Sequence, residues 1–268
     1  CGSTLAYGYI QLKTPSTAAV RALNTEYTAG EAKREEKTAK AVIMGGSFEV
    51  DRVLQNTSGA VDELAFQAQQ KIKATANYFH NLVINGTSAS SGTGYVVNTF
   101  DGLRKALTGT SNDFTTDIDL SDSTKLDSNA NAFVDQLDQL THMVDGGASL
   151  LLMNTAMLLK VRAAARRAGY YDRKKDDFGR AVEYFGDIPI MDAGMYYNGT
   201  KSVDVIDTST PSASAAGTSS IYAVNIALDG FHGISPTGTG VINSYMPDLK
   251  APGAVKKGEV ELVAGVVL

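Results

Sequence analysis

Three histidines, His80, His142 and His232, are the side chains best suited to metal ligation or proton transfer near neutral pH. A metal site needs further ligands at a fixed short spacing, such as i, i+4 on a helix, and no second His or Cys stands at one. The adjacent carboxylates Glu35-Glu36, Asp62-Glu63 and Asp176-Asp177 point apart on a helix. None sits in apolar sequence that would raise a pKa and make an acid–base pair. Ser91-Gly92-Thr93-Gly94 lacks the third glycine and the following helix of a phosphate cradle, so it reads as a linker. No nucleophile elbow is present. Cys1 is the sole cysteine, which excludes an internal disulfide and a thiolate zinc cluster. The tripeptides at Asn56, Asn85 and Asn198 match the glycosylation acceptor, a common chance pattern that means little without a secretory signal. The expectation is therefore no catalytic, cofactor-binding or metal residue.

Charge forms two other clusters. GEAKREEK at 30–37 places Lys33, Arg34, Glu35, Glu36 and Lys37 in succession, with Leu23 and Tyr27 before them and Val42, Ile43, Met44 and Phe48 after. The composition fits a short exposed helix or a long two-stranded excursion with the charges at its tip. Such a tip has little support in a monomer and suits a segment lying on another subunit; a solvated charge run is the plain alternative. Further on, Lys160, Arg162, Arg166, Arg167, Arg173, Lys174 and Lys175 face only Asp172 within 160–175, a local net charge of +6. This basic stripe reads as a surface toward a polyanion or a neighbour's acidic patch. Equally, it reads as an ordinary helix face whose C-terminal cations suit the helix dipole.

The elements that must carry these clusters fit a chain of 268 residues, 43% apolar and 20% charged, which can bury one large core or two modest ones. A net charge of −5 argues against a dedicated nucleic-acid binder. There is no apolar run of about 18 residues for a spanning helix, and no signal-peptide pattern. The chain starts at Cys1 instead of Met, as after maturation cleavage or where numbering begins inside a longer precursor.

The first 20 residues lack a period and read as an extended arm, with Pro15 excluded from a helix interior or central strand. Val61, Leu64, Ala65, Ala68, Ile72, Ala76, Phe79 and Val83 mark one face of a long helix over 61–83, with Ser58 or Asp62 as cap and Asn85-Gly86 as stop. Residues 114–120 suggest one strand. Phe133, Leu137, Leu140 and Val144 predict a helix over 128–145 with Ser128 as cap. A continuous apolar strand follows at 149–153, then a helix over 156–168 capped by Asn154 or Thr155 and closed by Gly169. Gly186-Asp187 joins 182–185 to 188–191 as a hairpin. Residues 208–220 are a low-complexity loop, 220–228 a strand, and the apolar GEVELVAGVVL ends the chain as a further strand.

An arm, a charged loop, a long helix, an FDGL turn, helix–strand–helix and terminal strands, in this order, resemble the HK97-like major capsid protein of tailed bacteriophages. NGTS…FDGLRKAL after the long helix, FGRAVEYFGDIPI, and SIYAVNIALDGFHGIS carry the likeness. The resemblance implies an α+β fold: N-arm 1–22, E-loop 23–50, peripheral domain 51–124 with spine helix 61–83, axial α/β domain 125–230, and return strands 231–268. It implies a structural protein without enzymatic activity or cofactor, assembling as hexamers and pentamers into an icosahedral head around double-stranded DNA. In it, Lys33 to Lys37 would touch a neighbouring subunit, and the basic stripe would face an interface or the DNA, contacted non-specifically. Scaffold, portal and decoration proteins would be its partners, with no membrane. Its place would be the virion, assembled in the bacterial host cytoplasm, and some members shed an N-terminal scaffolding segment. Some also cross-link a loop Lys to a neighbour's Asn with help from a Glu. Lys33, Lys37, Lys40 and Asn243 fall in the matching regions, but no motif fixes a pairing, so a non-covalent shell is expected. An encapsulin-type compartment, which stores cargo enzymes, is the alternative with the same fold.

Overall fold

The computed structural model describes residues 4–57, 62–88, 99–116, 118–169, 172–175, 181–208, 217–238 and 240–268, with the backbone alone at 172–175 and 181–182. In chain order the elements are β1 (Ala6–Thr14), β2 (Lys33–Lys40), β3 (Val42–Asp51), α1 (Arg52–Thr57), α2 (Glu63–Asn85), α3 (Leu103–Leu107) and α4 (Ser123–His142). Then come β4 (Leu150–Met153), α5 (Thr155–Ala168), β5 (Asp172–Lys175), β6 (Ala181–Phe185), β7 (Ile188–Asp192), β8 (Met195–Tyr197) and β9 (Ser202–Asp204). The last are β10 (Tyr222–Val224), β11 (His232–Ile234), β12 (Ile242–Tyr245) and β13 (Val255–Val267).

Helix α2 and the long terminal strand form one layer pair. β13 runs antiparallel to β3 from Val255↔Asp51 to Ala264↔Val42, and takes β12 and β11 along its other edge. Period-two alternation turns Val42, Met44, Phe48 and Val50 of β3 and Val260, Leu262 and Ala264 of β13 to one face, where all are buried. The apolar stripe of α2 covers that face: Leu64, Ala68 and Ile72 meet Phe48, Val50 and Val260, while Phe79, Leu82 and Val83 meet Val42, Met44 and Leu262. The helix has 23 residues and spans roughly 35 Å at 1.5 Å per residue. Gly258 lies under the Phe48 ring, and a Cβ there would sit 2.4 Å from Phe48 Cζ.

The second core lies between a mixed sheet, in the order β10-β4-β7-β6-β5, and the helices α4 and α5. β4 and β7 pair in parallel, with α5 within the connection, and the other neighbours are antiparallel. Leu126, Phe133, Val134 and Leu137 of α4 and Leu158, Val161 and Ala164 of α5 pack with Leu151, Met153, Phe185 and Ile190 of the sheet.

Both faces of β4 and β10 are covered. Tyr222 and Val224, with Leu150 and Leu152, pack on Ile84 at the end of α2, Leu103 of α3, and the segment Val205 and Ile206. Burying a side chain the size of Ile206 contributes about 1.5–3 kcal/mol. Two asparagines fix this segment. Asn154 donates to the Ile206 carbonyl (3.0 Å) while its Oδ1 caps α5 through the Met157 N–H (2.8 Å), and Asn85 donates to the Val205 carbonyl (2.7 Å).

Several expectations change. Residues 33–37 form strand, not helix, because β1 supplies an antiparallel partner from Ala6↔Lys40 to Thr14↔Lys33. The two-stranded option therefore describes the segment, but the charges lie along β2 and not at the tip. The chain reverses near 22–25, where Asn24 adopts φ 64° and the Thr25 N–H donates to the Ala22 carbonyl. A boundary between arm and loop at 22/23 thus divides what the structure pairs as one hairpin. Helix α4 starts at Ser123 instead of 128, with the Asp122 carboxylate accepting from the Lys125 N–H (2.8 Å). Its first turn is polar, so periodicity alone does not reveal it. The described residues of 114–120 form no strand; Ile118 and Leu120 instead pack on the α4–α5 core. The 220–228 strand contracts to β10. The linker at 91–94 and most of the 208–220 loop lie outside the described residues.

Candidate assembly surfaces

The β1–β2 hairpin buries almost nothing. Along β1, Tyr7 and Tyr9 are half-buried on one side, whereas Ile10 (60% exposed) and Leu12 (63%) face solvent on the other. Across from them, Lys33, Arg34, Glu35, Glu36 and Lys37 are all exposed. Cross-strand pairing joins Ile10 to Glu36 and Leu12 to Arg34, and Lys13 forms a surface ion pair with Glu35 (3.4 Å). Beyond the strands, Val20 (100%) and Leu23 (90%) project fully, and the Arg21 guanidinium stacks 5.4 Å over the Tyr27 ring. An isolated two-stranded ribbon is marginal in water, and an ion pair this exposed adds little.

The hairpin is held at its root. The Ala41 N–H donates to the Leu5 carbonyl (2.8 Å), and Tyr7 meets His232 edge-on (6.1 Å between centroids). Partial burial pushes the Tyr9 phenol up from its ordinary pKa. Gly265 of β13 passes so close that a Cβ would lie 2.5 Å from the Lys40 carbonyl oxygen. The excursion therefore leaves a fixed base and carries its apolar residues away from either core.

The basic stripe does not form one surface. On α5, the buried Leu158, Val161, Ala164 and Ala165 occupy one arc, and the 3.6-residue period places Lys160 and Arg167 on one flank and Arg162 and Arg166 on the other. Lys160 Nζ donates to the Ser121 carbonyl (2.9 Å), and Arg167 pairs with Asp127 of α4. Arg162 reaches under the helix to Glu183 of β6, a side chain only 6% exposed. Arg173, Lys174 and Lys175 lie on β5, paired with Glu183, Val182 and Ala181 of β6; their side chains fall outside the described residues. Sequence reading misses both acidic partners, which lie 21 and 40 residues along the chain from the cations they neutralise; the signal available for Glu183 is a carboxylate in phase with Phe185 on the buried face of β6.

The histidines are scattered. His80 is exposed on α2, His142 Nδ1 lies 2.9 Å from the Asp138 backbone carbonyl, and His232 Nδ1 lies 3.0 Å from the Gly230 carbonyl. Asp138 stands four residues before His142, yet this contact uses its main chain. Among the described residues no three His, Cys, Asp or Glu side chains gather as a metal site, and no helix is long and apolar enough to cross a membrane. An open cavity of about 640 Å³ lies between Asn81 and Asn85 of α2, Arg104 of α3 and the β8–β9 hairpin.

No protein-family model and no curated protein matches the sequence. Solved structures do match in shape. The holo-SrpI encapsulin complex from Synechococcus elongatus superposes with a TM-score of 0.65 at 12% identity, over 99% of this chain and 79% of that one. Mycobacterium phage Bobi gives 0.57 at 15% identity, over 99% and 80%. The capsid of Myoviridae phage XM1 gives 0.53 at 14% identity, over 100% and 83%. The chain has the HK97-like capsid fold. Within that fold the exposed hairpin leaves the layer built on α2 and β13, and the α4–α5 layer forms the second body of the chain.

Proposed function

We propose that this chain is the subunit of a closed homo-oligomeric shell with a structural role and no enzymatic one. The observation that carries the proposal is the β1–β2 hairpin: Ile10, Leu12, Val20 and Leu23 are exposed on a ribbon that covers no core of its own. A neighbouring copy that covers this apolar surface accounts for its retention. Many weak, symmetric contacts of this kind close a shell without any single strong one. In this reading Lys33, Arg34, Glu35, Glu36 and Lys37 line an intersubunit contact. Of the basic stripe, Arg166 is exposed on α5, and in this reading it meets a neighbour or a polyanion together with Arg173, Lys174 and Lys175 of β5.

The domain limits proposed for that subunit are a hairpin excursion, a peripheral domain carrying α2, an axial domain from about 125 to 230, and return strands to Leu268. The finer proposal is a tailed-phage head of hexamers and pentamers around double-stranded DNA, with scaffold, portal and decoration partners, located in the virion and assembled in the bacterial cytoplasm. A second reading, an encapsulin-type compartment, is supported by the encapsulin among the structures that share this fold. Analytical sedimentation with negative-stain imaging tests the shared proposal, which expects capsomers or shells. A stable monomer at micromolar concentration overturns it. The contents of shells purified from expressing cells separate the two finer readings: nuclease-protected DNA supports the phage head, and co-purifying protein without DNA supports the compartment.

A further inference from the structure

We propose that Asn198 is a site of spontaneous deamidation, a covalent modification that the fold directs to this asparagine and withholds from Asn85. Both precede a glycine, the residue that least hinders attack by its own nitrogen on the preceding side chain. Their surroundings are opposite.

Asn198 opens the exposed turn between β8 and β9, and Gly199 follows at φ 96°. Asn198 Oδ1 accepts from the backbone N–H groups of Thr200 and Lys201, both at 3.0 Å. The turn is closed by the Asn198 N–H donating to the Lys201 carbonyl (3.1 Å). Among the described residues, the Gly199 N–H donates to nothing. The nucleophilic nitrogen is therefore free, and two fixed donors already point at the oxygen on which negative charge develops. That is the arrangement that stabilises a tetrahedral intermediate of acyl transfer.

Asn85 ends α2. There the Gly86 N–H is committed to the Leu82 carbonyl (2.8 Å), and the glycine is buried. Asn85 Nδ2 donates to both the Asn81 Oδ1 (2.8 Å) and the Val205 carbonyl (2.7 Å), so the amide that must leave is itself anchored. Cyclisation at Asn85 would break these bonds and the packing of Val205 beside them.

The reaction at Asn198 balances with water alone. Solvent hydroxide takes the Gly199 amide proton, and the nitrogen adds to Asn198 Cγ. The Cγ–Nδ2 bond then breaks, and Nδ2 leaves as ammonia with a proton from water. Water opens the resulting succinimide at either carbonyl and leaves aspartate or isoaspartate. The product carries one new negative charge at the rim of the cavity shared with Arg104, Lys201 and Asp204, and isoaspartate adds a carbon to the main chain of the turn.

The test is peptide mapping by mass spectrometry of the folded protein during incubation at mildly alkaline pH, with isoaspartate scored by an isoaspartyl methyltransferase assay. Conversion at Asn198 should exceed that at Asn85 by roughly tenfold or more, the factor that a single retained hydrogen bond supplies. In denaturant the two rates should converge. Gly199→Ala meets no neighbouring atom but is strained at φ 96°, so it is read in denaturant, where the added Cβ hinders the nitrogen and should slow conversion at Asn198 relative to Asn85. Equal conversion at both asparagines in the folded protein, or an inert Asn198, would overturn the proposal.

Discussion

Arg162 on α5 and Glu183 on β6 form an ion pair in which the carboxylate is nearly buried while the guanidinium keeps a third of its side-chain surface. The pair ties the helix to the antiparallel end of the mixed sheet. Replacing Arg162 with Leu leaves Glu183 without this partner in a poorly solvated place. The expected loss is about 1–3 kcal/mol, short of a fully buried pair because Arg162 is partly screened. Arg162→Leu combined with Glu183→Leu should recover most of it. Chemical denaturation reads both, and a double variant no more stable than the single one would refute the assignment.

The contact of Gly258 with Phe48 gives a steric prediction. A Cβ at 258 would overlap the Phe48 ring, which is buried between β3 and α2. Gly258→Ala should cost about 1–3 kcal/mol through overpacking. Adding Phe48→Leu should relieve part of that cost, so that the two changes are less than additive. Strict additivity in thermal or urea unfolding would show that the ring moves aside freely.

Asn154 tests the junction between the two bodies. It serves as both cap and tether, with its oxygen on the Met157 N–H and its nitrogen on the Ile206 carbonyl, in a site 1% exposed. Asn154→Ala should cost about 2–4 kcal/mol, a cap plus a buried carbonyl left unsatisfied. Asn154→Asp keeps the cap but sets a carboxylate against the Ile206 carbonyl in a buried site, and at neutral pH it should cost at least as much as Asn154→Ala. If Asp matches wild type, the tether contributes nothing.

These positions mark what was legible in the chain. Helix α2 and the two ends of α5 follow from local signals: an apolar period, Asp62 and Asn154 as caps, and Gly169 in the left-handed region at φ 78°. The Gly186-Asp187 hairpin is equally local. The β1–β2 pairing is not, because a ribbon that covers no core imposes no apolar alternation, and its strands are joined through 18 intervening residues that carry no turn signature at the midpoint. The basic stripe looked continuous because sequence counts charges by proximity along the chain. The fold matches Arg167 with Asp127 and Arg162 with Glu183 across elements, and the helical period sends neighbouring cations to opposite flanks.

A pH dependence follows from Asp119. The Lys125 ammonium and the Ser121 hydroxyl and N–H hold its carboxyl well below the usual carboxylate range, and the same contact raises Lys125. A carboxyl depressed on folding stabilises the protein fully above its unfolded pKa, near 4, and that contribution is lost as pH falls from there toward the folded value. Asp119→Asn should therefore flatten the fall in stability below about pH 4 and, because Lys125 loses the partner that raises it, also soften the alkaline loss above about pH 10, leaving the profile between those limbs unchanged in shape. Thermal midpoints measured across the acid range decide it; identical acid limbs for variant and wild type would sink the idea.

The hairpin provides the test of assembly. Removing 25–47, most of the loop that the resemblance places at 23–50, would also delete Val42 and Met44 from the core under α2. A cleaner variant keeps Tyr7 and Ala39 as the closing pair and replaces 8–38 with Asn-Gly, a two-residue connection suited to an antiparallel ribbon. No buried residue is lost, so the variant should unfold as cooperatively as the intact chain. It should sediment as a monomer under conditions where the intact chain assembles. The charge-insertion pair Ile10→Asp and Leu12→Asp asks the same question without shortening the chain. Both sites are exposed, so monomer stability should change by no more than about 0.5 kcal/mol per site. Assembly should nonetheless fail, because two carboxylates would have to be buried against a neighbour. Shells that form normally from either variant would place the subunit contacts elsewhere on the molecule.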